Sequence, residues 1–507
     1  MSNPANPVHR VSGMRDRIAL HDVAATRRIE AAALAGSEPH ALMRRAGEAT
    51  ARLAVALAPH ARRVWVAAGP GHNGGDGLVA ATHLHRLGRD VRVQLLADES
   101  RLSADAADAL ARARAAGVPI GPDLAPHERV ELAIDALLGI GANRAPEGAI
   151  AAAVALFNGL PALRLAVDVP TGLAADTGHA PGACVQAHHT ITFLTVKPGL
   201  FTAQGRDAAG TVWHAPLQVD AQSAPASAWL SGASDAAYPA RRHTQHKGSF
   251  GDVTVVGGAA GMAGAARLAA HAALAAGGGR VYLCPLDPSA DAAIDPSRPE
   301  LMHRALDRAL DPRALAGATV VCGCGGGEAV RDVLDPVMHH AARLVLDADA
   351  LNAIASERAL RDRLRARSAH GRAERATVLT PHPLEAARLL GVGTRDVQAD
   401  RLAHAQRLAD DLRCVVLLKG SGSVIAAPGR TPHVNPTGNA SLASPGTGDV
   451  LAGWLGGTWA ASGADGLEGA LRAALSAAWR HGAAADAAGV SPLRASNLIE
   501  AMLALGG

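Results

Sequence analysis

The sequence predicts an α/β chain of two domains, each a mostly parallel sheet clad by helices. Three observations predict it. Short apolar runs such as VWVAAG (64–69) and DVTVVGG (252–258) alternate with helical stretches, the pattern of strand–helix–strand units. That rhythm fails across 217–243, where Ala, Ser and Pro accumulate, and then restarts. With 507 residues, 49% hydrophobic and 19% charged, the chain is too long for one ordinary core and too apolar to be disordered. The expected division is a domain over 14–220, a linker over 221–240 and a domain over 241–507.

The elements follow in order. Residues 24–59 carry apolar positions at helical spacing and read as one or two helices leading into the fold. VWVAAG is a buried strand, PGHNGGDG (70–77) a tight glycine loop, and LVAATHLHRLG (78–88) a helix that hands over to the strand VRVQLLA. Further strands, ELAIDALLGIG (131–141), LRLAVDVPTGL (163–173) and HTITFLTVKPGL (189–200), each end in small or acidic residues, where a doubly wound sheet places its ligands. The second half repeats the theme at RVYLC, TVVCG, RLVLDADAL, ATVLTPHP and CVVLLKGSGSVIAA, and ends in helices.

Composition excludes several functions. A formal charge of +3 and 2% aromatic residues offer neither a phosphate-tracking surface nor a base-stacking platform, so nucleic acid is not expected as a partner. Apolar stretches are too short to span a bilayer, and MSNPANPVHRVSGMRDR lacks the apolar core of a signal peptide. Cys184, Cys284, Cys322, Cys324 and Cys414 are odd in number and unpaired in spacing, which signals neither disulfides nor zinc and points to the cytoplasm. Alanine-rich helices leave room for a homo-oligomer. Of the 49 basic side chains only Lys197, Lys247 and Lys419 are lysines, each beside glycine or a Pro-Gly turn. Where arginine is the rule, a lysine suits a site needing a compact ammonium, although chance explains Lys197 equally well.

Two constellations carry chemistry. In the first half, the glycine run after VWVAAG fits either a phosphate cradle or a structural turn. Asp76 shifts the balance, since an acid there repels phosphate and suits a ribose hydroxyl, an amide or a cation's shell. Asp135 and Asp168 end neighbouring strands, as turn caps or as site residues. With Asn73 and Thr171, Asp135 offers an all-oxygen shell for a hard cation. In the second half, Gly446-Thr447-Gly448-Asp449 combines an anion hole at a helix start with an acid able to take a hydroxyl proton, as phosphoryl transfer requires; a plain helix cap is the alternative. Lys419-Gly420-Ser421-Gly422-Ser423 can wrap a nucleotide's phosphates or ribose. His246-Lys247-Gly248, Asp347, Asp349 and His382 accompany them at other strand ends.

These motifs together resemble two families. GPGHNGGDGLVAATHL, DALLGIG, DVPTGL and TFLTVKPGL, preceded by ALMRRAG, resemble the Rossmann-like epimerases that interconvert the R and S forms of hydrated NADH and NADPH, over about residues 20–217. The resemblance implies substrate contacts at His72, Asn73, Gly74, Gly75, Asp76, Gly139, Ile140, Gly141, Ala142, Asn143, Arg144, Ala145 and Asp168. It also implies potassium at Asn73, Asp135 and Thr171. His72 stands where that family usually has Asn, and Thr171 where it has Ser. Asp168 is the candidate acid/base. HKGSFGDVTVVGG, CGCGGG, LDADALN, TPHPLEAARLL, LLKGSGS and GNASLASPGTGDVLAG resemble the ADP- or ATP-dependent NAD(P)H-hydrate dehydratases, a ribokinase-like α/β/α branch, over about 240–507. That implies Asp449 as the base, with Ala265, Gly325, Gly327 and His382 also around the substrate. It implies Lys419 to Ser423 and Gly446 to Gly448 around ADP or ATP, with magnesium on the phosphates. CGCGGG, Leu384 and GAAGMAGAA depart from that family's usual forms. The competing reading is a ribokinase-like vitamin-precursor kinase fused to a non-catalytic Rossmann-like module.

Overall fold

β-branched and small apolar residues set the strands of both halves, and which strands neighbour one another decides where ligands can enter. The computed structural model describes residues 7–12, 15–221, 224–237, 241–287, 295–367, 375–489 and 493–505. The described residues of 1–12 and 19–228 form one unit and those of 13–18 and 229–507 a second.

The first unit's sheet runs His9–Arg10, Thr211–Ala215, His189–Phe193, Leu163–Val167, Leu132–Ala136, Arg63–Ala68, Asp90–Leu95, Ile120–Gly121. All neighbours are parallel except the first pair. Strand order therefore reverses between Arg63–Ala68 and Leu132–Ala136, and a crevice opens beyond the carboxyl ends of those two strands. Buried Trp65, Ala67, Ala133 and Phe157 pack on one face, and Val64, Val66, Ile134 and Leu78 on the other, as period-two alternation requires. The N-terminal segment forms two helices, Val23–Ala35 and Ala41–Leu57, broken at Ser37–His40.

One expectation is corrected. The run HNGGDG is not a loop: the helix begins at His72, with Gly71 as its N-cap, and continues to Arg86. Glycine disfavours helix interiors, so the local signal reads as a turn. Packing overrides it. A Cβ on Gly74 would lie 2.0 Å from Gly69 O, one on Gly77 2.4 Å from Ala136 Cβ, and one on Gly75 2.5 Å from Met43 Cε. The glycines let this helix settle against the sheet and its neighbours.

The second unit's sheet runs Met302–His303, Arg280–Pro285, Asp252–Gly257, Ala318–Cys322, Arg343–Leu346, Ala376–Leu379, Val415–Leu418, Val424–Ala426, His433–Val434, Ala228–Leu230. Among these described strands, only Val424–Ala426 runs antiparallel to its neighbours. Helices Ala263–Ala275, Thr447–Ser462, Gly466–Ala488 and Ala495–Ala504 cover the face holding Val253, Val255 and Val321. Helices Val330–His340, Asp349–Ser356, Pro383–Leu390 and Arg401–Leu412 cover the face holding Val256, Val320 and Cys322. This is an α/β/α sandwich.

The stretch 221–240, expected as a linker, lies partly outside the described residues; within it, Ala228–Leu230 is a strand. Trp229 and Leu230 pair with His433 and Val434, and Leu230 is fully buried. Three residues are too few for alternation to declare a strand in the sequence.

Candidate active sites

The crevice at the first unit's switch point is a cavity of about 410 Å³, within the range of small-molecule sites. Its wall includes Pro70 to Asn73 and Asp76 from the first helix turns, Leu137 to Ala142 from the next strand's end, and Asp168, Phe193, Leu194 and Lys197. Helix Val23–Ala35 adds Thr26, Arg27, Glu30 and Leu34. Of the residues expected to contact substrate, His72, Asn73, Asp76, Gly139, Ile140, Gly141, Ala142 and Asp168 line this cavity. Gly74 and Gly75 lie behind it as packing positions. Asn143, Arg144 and Ala145 are not on its wall; Ala145 abuts Gly182 instead.

Asp168 follows strand Leu163–Val167 in a strained turn. Its φ is +65°, and Val169 N–H donates to Val167 O at 2.9 Å, a γ-turn of the rare hand for an L-residue. The turn swings its carboxylate onto Lys197, whose Nζ lies 2.7 Å from Oδ1 and also donates to Thr192 Oγ1 (3.0 Å) and Phe193 O (2.7 Å). The lysine is 1% exposed and its acid 13%. Leu194 makes a second such turn, with φ +62° and Thr195 N–H to Phe193 O at 2.6 Å. Asp76, buried one helical turn from the cap, has its carboxyl pushed well above the ordinary range by burial and then by Asp168.

Asp135 is fully buried behind the cavity. Thr171 donates its N–H to Oδ2 at 2.8 Å and its hydroxyl to Oδ1 at 2.7 Å; Leu137 N–H reaches Oδ1 at 3.2 Å. Burial pushes this carboxyl up to about 6 against those bonds. Asn73, 6% exposed, leaves both side-chain polar atoms without a protein partner. A buried amide oxygen without a donor calls for something to coordinate.

The second unit gathers its acids around Lys419. Nζ lies 2.7 Å from Asp347 Oδ1, which also accepts from Thr380 Oγ1 at 2.8 Å. Gly446, with φ +88°, caps helix Thr447–Ser462 and puts Asp449 in its first turn. A Cβ on Gly448 would lie 3.4 Å from Lys419 Nζ. The GTGD turn and the Lys419–Ser423 hairpin, which joins strands Val415–Leu418 and Val424–Ala426, therefore meet. Cys324 Sγ and the Asp347 and Asp449 carboxylates lie within 4.8 Å of one another. Burial, then Asp347, raises the Asp449 carboxyl to about 6, while the Cys324 thiol hydrogen-bonds to it.

Other expected residues stand nearby. Gly327 N–H donates to Asp349 Oδ2 at 2.9 Å, and a Cβ on Gly325 would meet Ala265 Cβ at 2.9 Å, so the 258–265 and 323–327 loops close on each other. His382 caps helix Pro383–Leu390, its Nδ1 accepting from Leu384 and Glu385 N–H, while Glu385 returns a bond to His382 N–H at 2.7 Å. Burial pushes Glu385 up to about 7 and His382 down. Lys247 is exposed on a short 3-10 turn. Sequence reasoning missed Arg401, which is fully buried and holds the hairpin's start through Leu418 O (3.3 Å) and Lys419 O (3.1 Å). Its run RLAHAQRL carries no signal beyond an ordinary amphipathic helix. Cys324, inside CGCGGG, reads in the sequence as one of five unpaired cysteines and as part of a departure from the family's usual form, with no sign that it meets Asp347 and Asp449.

Comparison with known proteins follows the same two-part division. Residues 39–199 match the family described as YjeF-related protein N-terminus, and residues 253–502 the family described as NAD(P)H-hydrate dehydratase. The bifunctional NAD(P)H-hydrate repair enzyme Nnr of Escherichia coli is 38% identical over 444 residues, covering 84% of this chain and 82% of that one. Its namesake from Coxiella burnetii is 35% identical, covering 83% and 86%. Among solved structures, the Bacillus subtilis ADP/ATP-dependent NAD(P)H-hydrate dehydratase co-crystallised with ATP and Mg²⁺ is 30% identical with a TM-score of 0.41, covering 53% of this chain and 93% of that one. At 38% identity to the Escherichia coli enzyme, over more than four-fifths of both chains, the chain belongs to the bifunctional NAD(P)H-hydrate repair enzymes.

Proposed function

We propose that the first unit epimerises hydrated NADH and NADPH through Asp168 and Lys197, and that the second dehydrates the S form through Asp449 at the expense of ADP or ATP. The observation that carries this reading is the buried Lys197–Asp168 pair on the wall of a switch-point cavity. Epimerising C6 means breaking and remaking its C–O bond. The pair delivers a proton to the 6-hydroxyl, water leaves, and the pair takes a proton back from the water that adds to the other face. Walls that exclude bulk water keep the intermediate from escaping.

Asn73, Asp135 and Thr171 fit a potassium ion: their donors are oxygens, and the Asn73 amide is buried without a partner. Bound there, the ion would fix the helix start against the strand end and lend positive charge to the cavity floor.

In the second unit, Asp449 takes the proton of the 6-hydroxyl, whose oxygen attacks the nucleotide's terminal phosphorus while the bridging oxygen leaves with the rest of the nucleotide. The N–H groups of Gly446 and Gly448 at this helix start, beside Thr447, whose N–H donates to Ser444 O at 3.4 Å, and the Lys419 ammonium stabilise charge on the group in transfer. Loss of phosphate from C6 with a proton from C5 then restores the nicotinamide ring. Cys324 brings a thiol and Asp347 is already paired to Lys419, so the donors fit a magnesium ion held chiefly by nucleotide phosphates. There it would neutralise phosphate charge. Lys419 to Ser423 would hold the nucleotide, and Ala265, Gly325, Gly327 and His382 would frame the substrate. Among the described residues no helix is long and apolar enough to cross a membrane, and the five cysteines are free. We place the enzyme in the cytoplasm, where thiols stay reduced.

The test is to give the intact protein mixed R and S hydrates with ADP or ATP and follow the absorbance of restored NADH. Both epimers should be consumed. A first unit without chemistry would leave the R form, and a vitamin-precursor kinase would restore no NADH at all.

A further inference from the structure

The epimerase cavity poses an electrostatic problem. Its wall carries four carboxyl groups, Glu30, Asp76, Asp105 and Asp168. A hydrated dinucleotide brings a diphosphate of two negative charges. Of the cavity's two permanent cations, Lys197 is spent on Asp168. The other is Arg27, on helix Val23–Ala35, outside the segment 39–199 that matches the family. Arg27 is exposed and its guanidinium makes no hydrogen bond or ion pair among the described residues. Its guanidinium lies against the turn after strand Leu132–Ala136: a Cβ on Gly141 would sit 3.2 Å from Nη2. In that turn the N–H groups of Gly139, Ile140 and Gly141 donate to nothing in the described protein. Opposite it, the start of helix His72–Arg86 presents its own unbonded N–H groups.

We infer that Arg27 is a substrate-binding residue of the epimerase site, gripping the diphosphate of the hydrated dinucleotide against the Gly139–Gly141 amides and so directing the nicotinamide end toward Asp168. A planar guanidinium with five donors matches two phosphate oxygens at once, and backbone amides supply the remaining bonds. An anion placed anywhere deeper would face the carboxylates. Arg27 thus acts on binding, because the diphosphate carries the same charge before and during the chemistry at C6. The inference rests on the epimerase reading of this cavity.

The experiment uses the full chain without nucleotide, so that the dehydratase is silent, and follows R-to-S conversion by chromatography. Arg27→Ala should raise KM by about 10- to 100-fold with kcat nearly unchanged. Arg27→Lys should recover part of the loss. The KM of the unaltered protein should climb with ionic strength more steeply than that of Arg27→Ala. Dehydration of the S epimer with ADP or ATP, measured on the same preparations, should be unchanged and reports an intact fold. An unchanged KM in Arg27→Ala overturns the inference while leaving the epimerase reading in place. Loss confined to NADPHX also overturns it, by moving Arg27 to the 2′-phosphate. Absence of any R-to-S conversion in the unaltered protein instead sinks the underlying reading.

Discussion

Replacing Lys197 by Met tests whether the buried ion pair is the working part of the first site. Methionine nearly matches the lysine stem in volume, so the core stays filled while the ammonium disappears. What remains is a carboxylate only 13% exposed, together with Thr192 Oγ1 and Phe193 O, which lose the donor that reached them at 3.0 and 2.7 Å. Removing one member of a buried pair costs about 3–5 kcal/mol. Because Asp168 keeps some contact with the cavity, the lower figure applies, and for a unit of this size about 3 kcal/mol corresponds to roughly 6–12 °C in melting temperature. Asp168→Asn alone should also destabilise, since it strands the ammonium. The double variant Lys197→Met/Asp168→Asn should lose less than the sum of the two, with a coupling of about 2–3 kcal/mol. Thermal and urea unfolding of the intact chain measure this, and R-to-S conversion should be abolished in all three proteins. Additive losses, or a Lys197→Met protein as stable as the parent and still epimerising, would refute the argument.

Three further outcomes are expected. Asp449→Asn should leave nucleotide affinity within about twofold and slow dehydration by roughly 10²–10⁴-fold, the usual worth of a general base; titration calorimetry and NADH absorbance separate the two effects. The Asp449 carboxyl sits at about 6 because it is buried beside Asp347, and only its ionised form can accept the hydroxyl proton. Dehydratase kcat should therefore be level above pH 7 and fall about tenfold per unit below about pH 6, whereas a flat profile to pH 5 would exclude it as the base. R-to-S conversion should depend on potassium, with Asn73→Ala raising the concentration needed by roughly ten- to a hundredfold; identical rates in potassium and in choline salts would remove the ion from that site.

What the sequence disclosed and what it hid divide along a physical line. Asp135, Asp168 and Asp347 were legible because a parallel sheet delivers the carboxyl ends of its strands to one edge, and an acid there is exceptional in an apolar run; Asp449 was legible for another reason, as the acid closing a Gly-Thr-Gly turn at a helix start. Pairing was not legible: nothing between positions 168 and 197, or 347 and 419, says that a lysine will reach an acid, and only the scarcity of lysine hinted at it. The glycine run was legible as special but not as helical, since the clashes that demand Gly74 and Gly77 come from Gly69 and Ala136, on other elements. Arg401 and Arg27 were invisible for a related reason, as arginines on amphipathic helices look alike until the fold buries one and points the other into a cavity.

Each site contains a residue held in an unfavourable backbone conformation, and the second lends itself to a direct test of what that strain does. Asp168 is itself the strained residue. In the second unit it is Ala348, between Asp347 and Asp349, with φ +51° and ψ −115°, outside the left-handed helical basin. Holding an L-residue there costs about 1–3 kcal/mol. Glycine escapes that cost but loses about 0.5–1 kcal/mol through the freedom of its unfolded chain, and the Ala348 methyl is only half-buried. Ala348→Gly should therefore gain about 1 kcal/mol in urea unfolding while Asp347 stays on Lys419 and the dehydratase rate holds. If the strain instead forces Asp347 toward Lys419, relieving it will stabilise the unit and lower kcat together. A loss of stability in Ala348→Gly would mean that the backbone here is not strained at all, and that the turn is held by the alanine methyl.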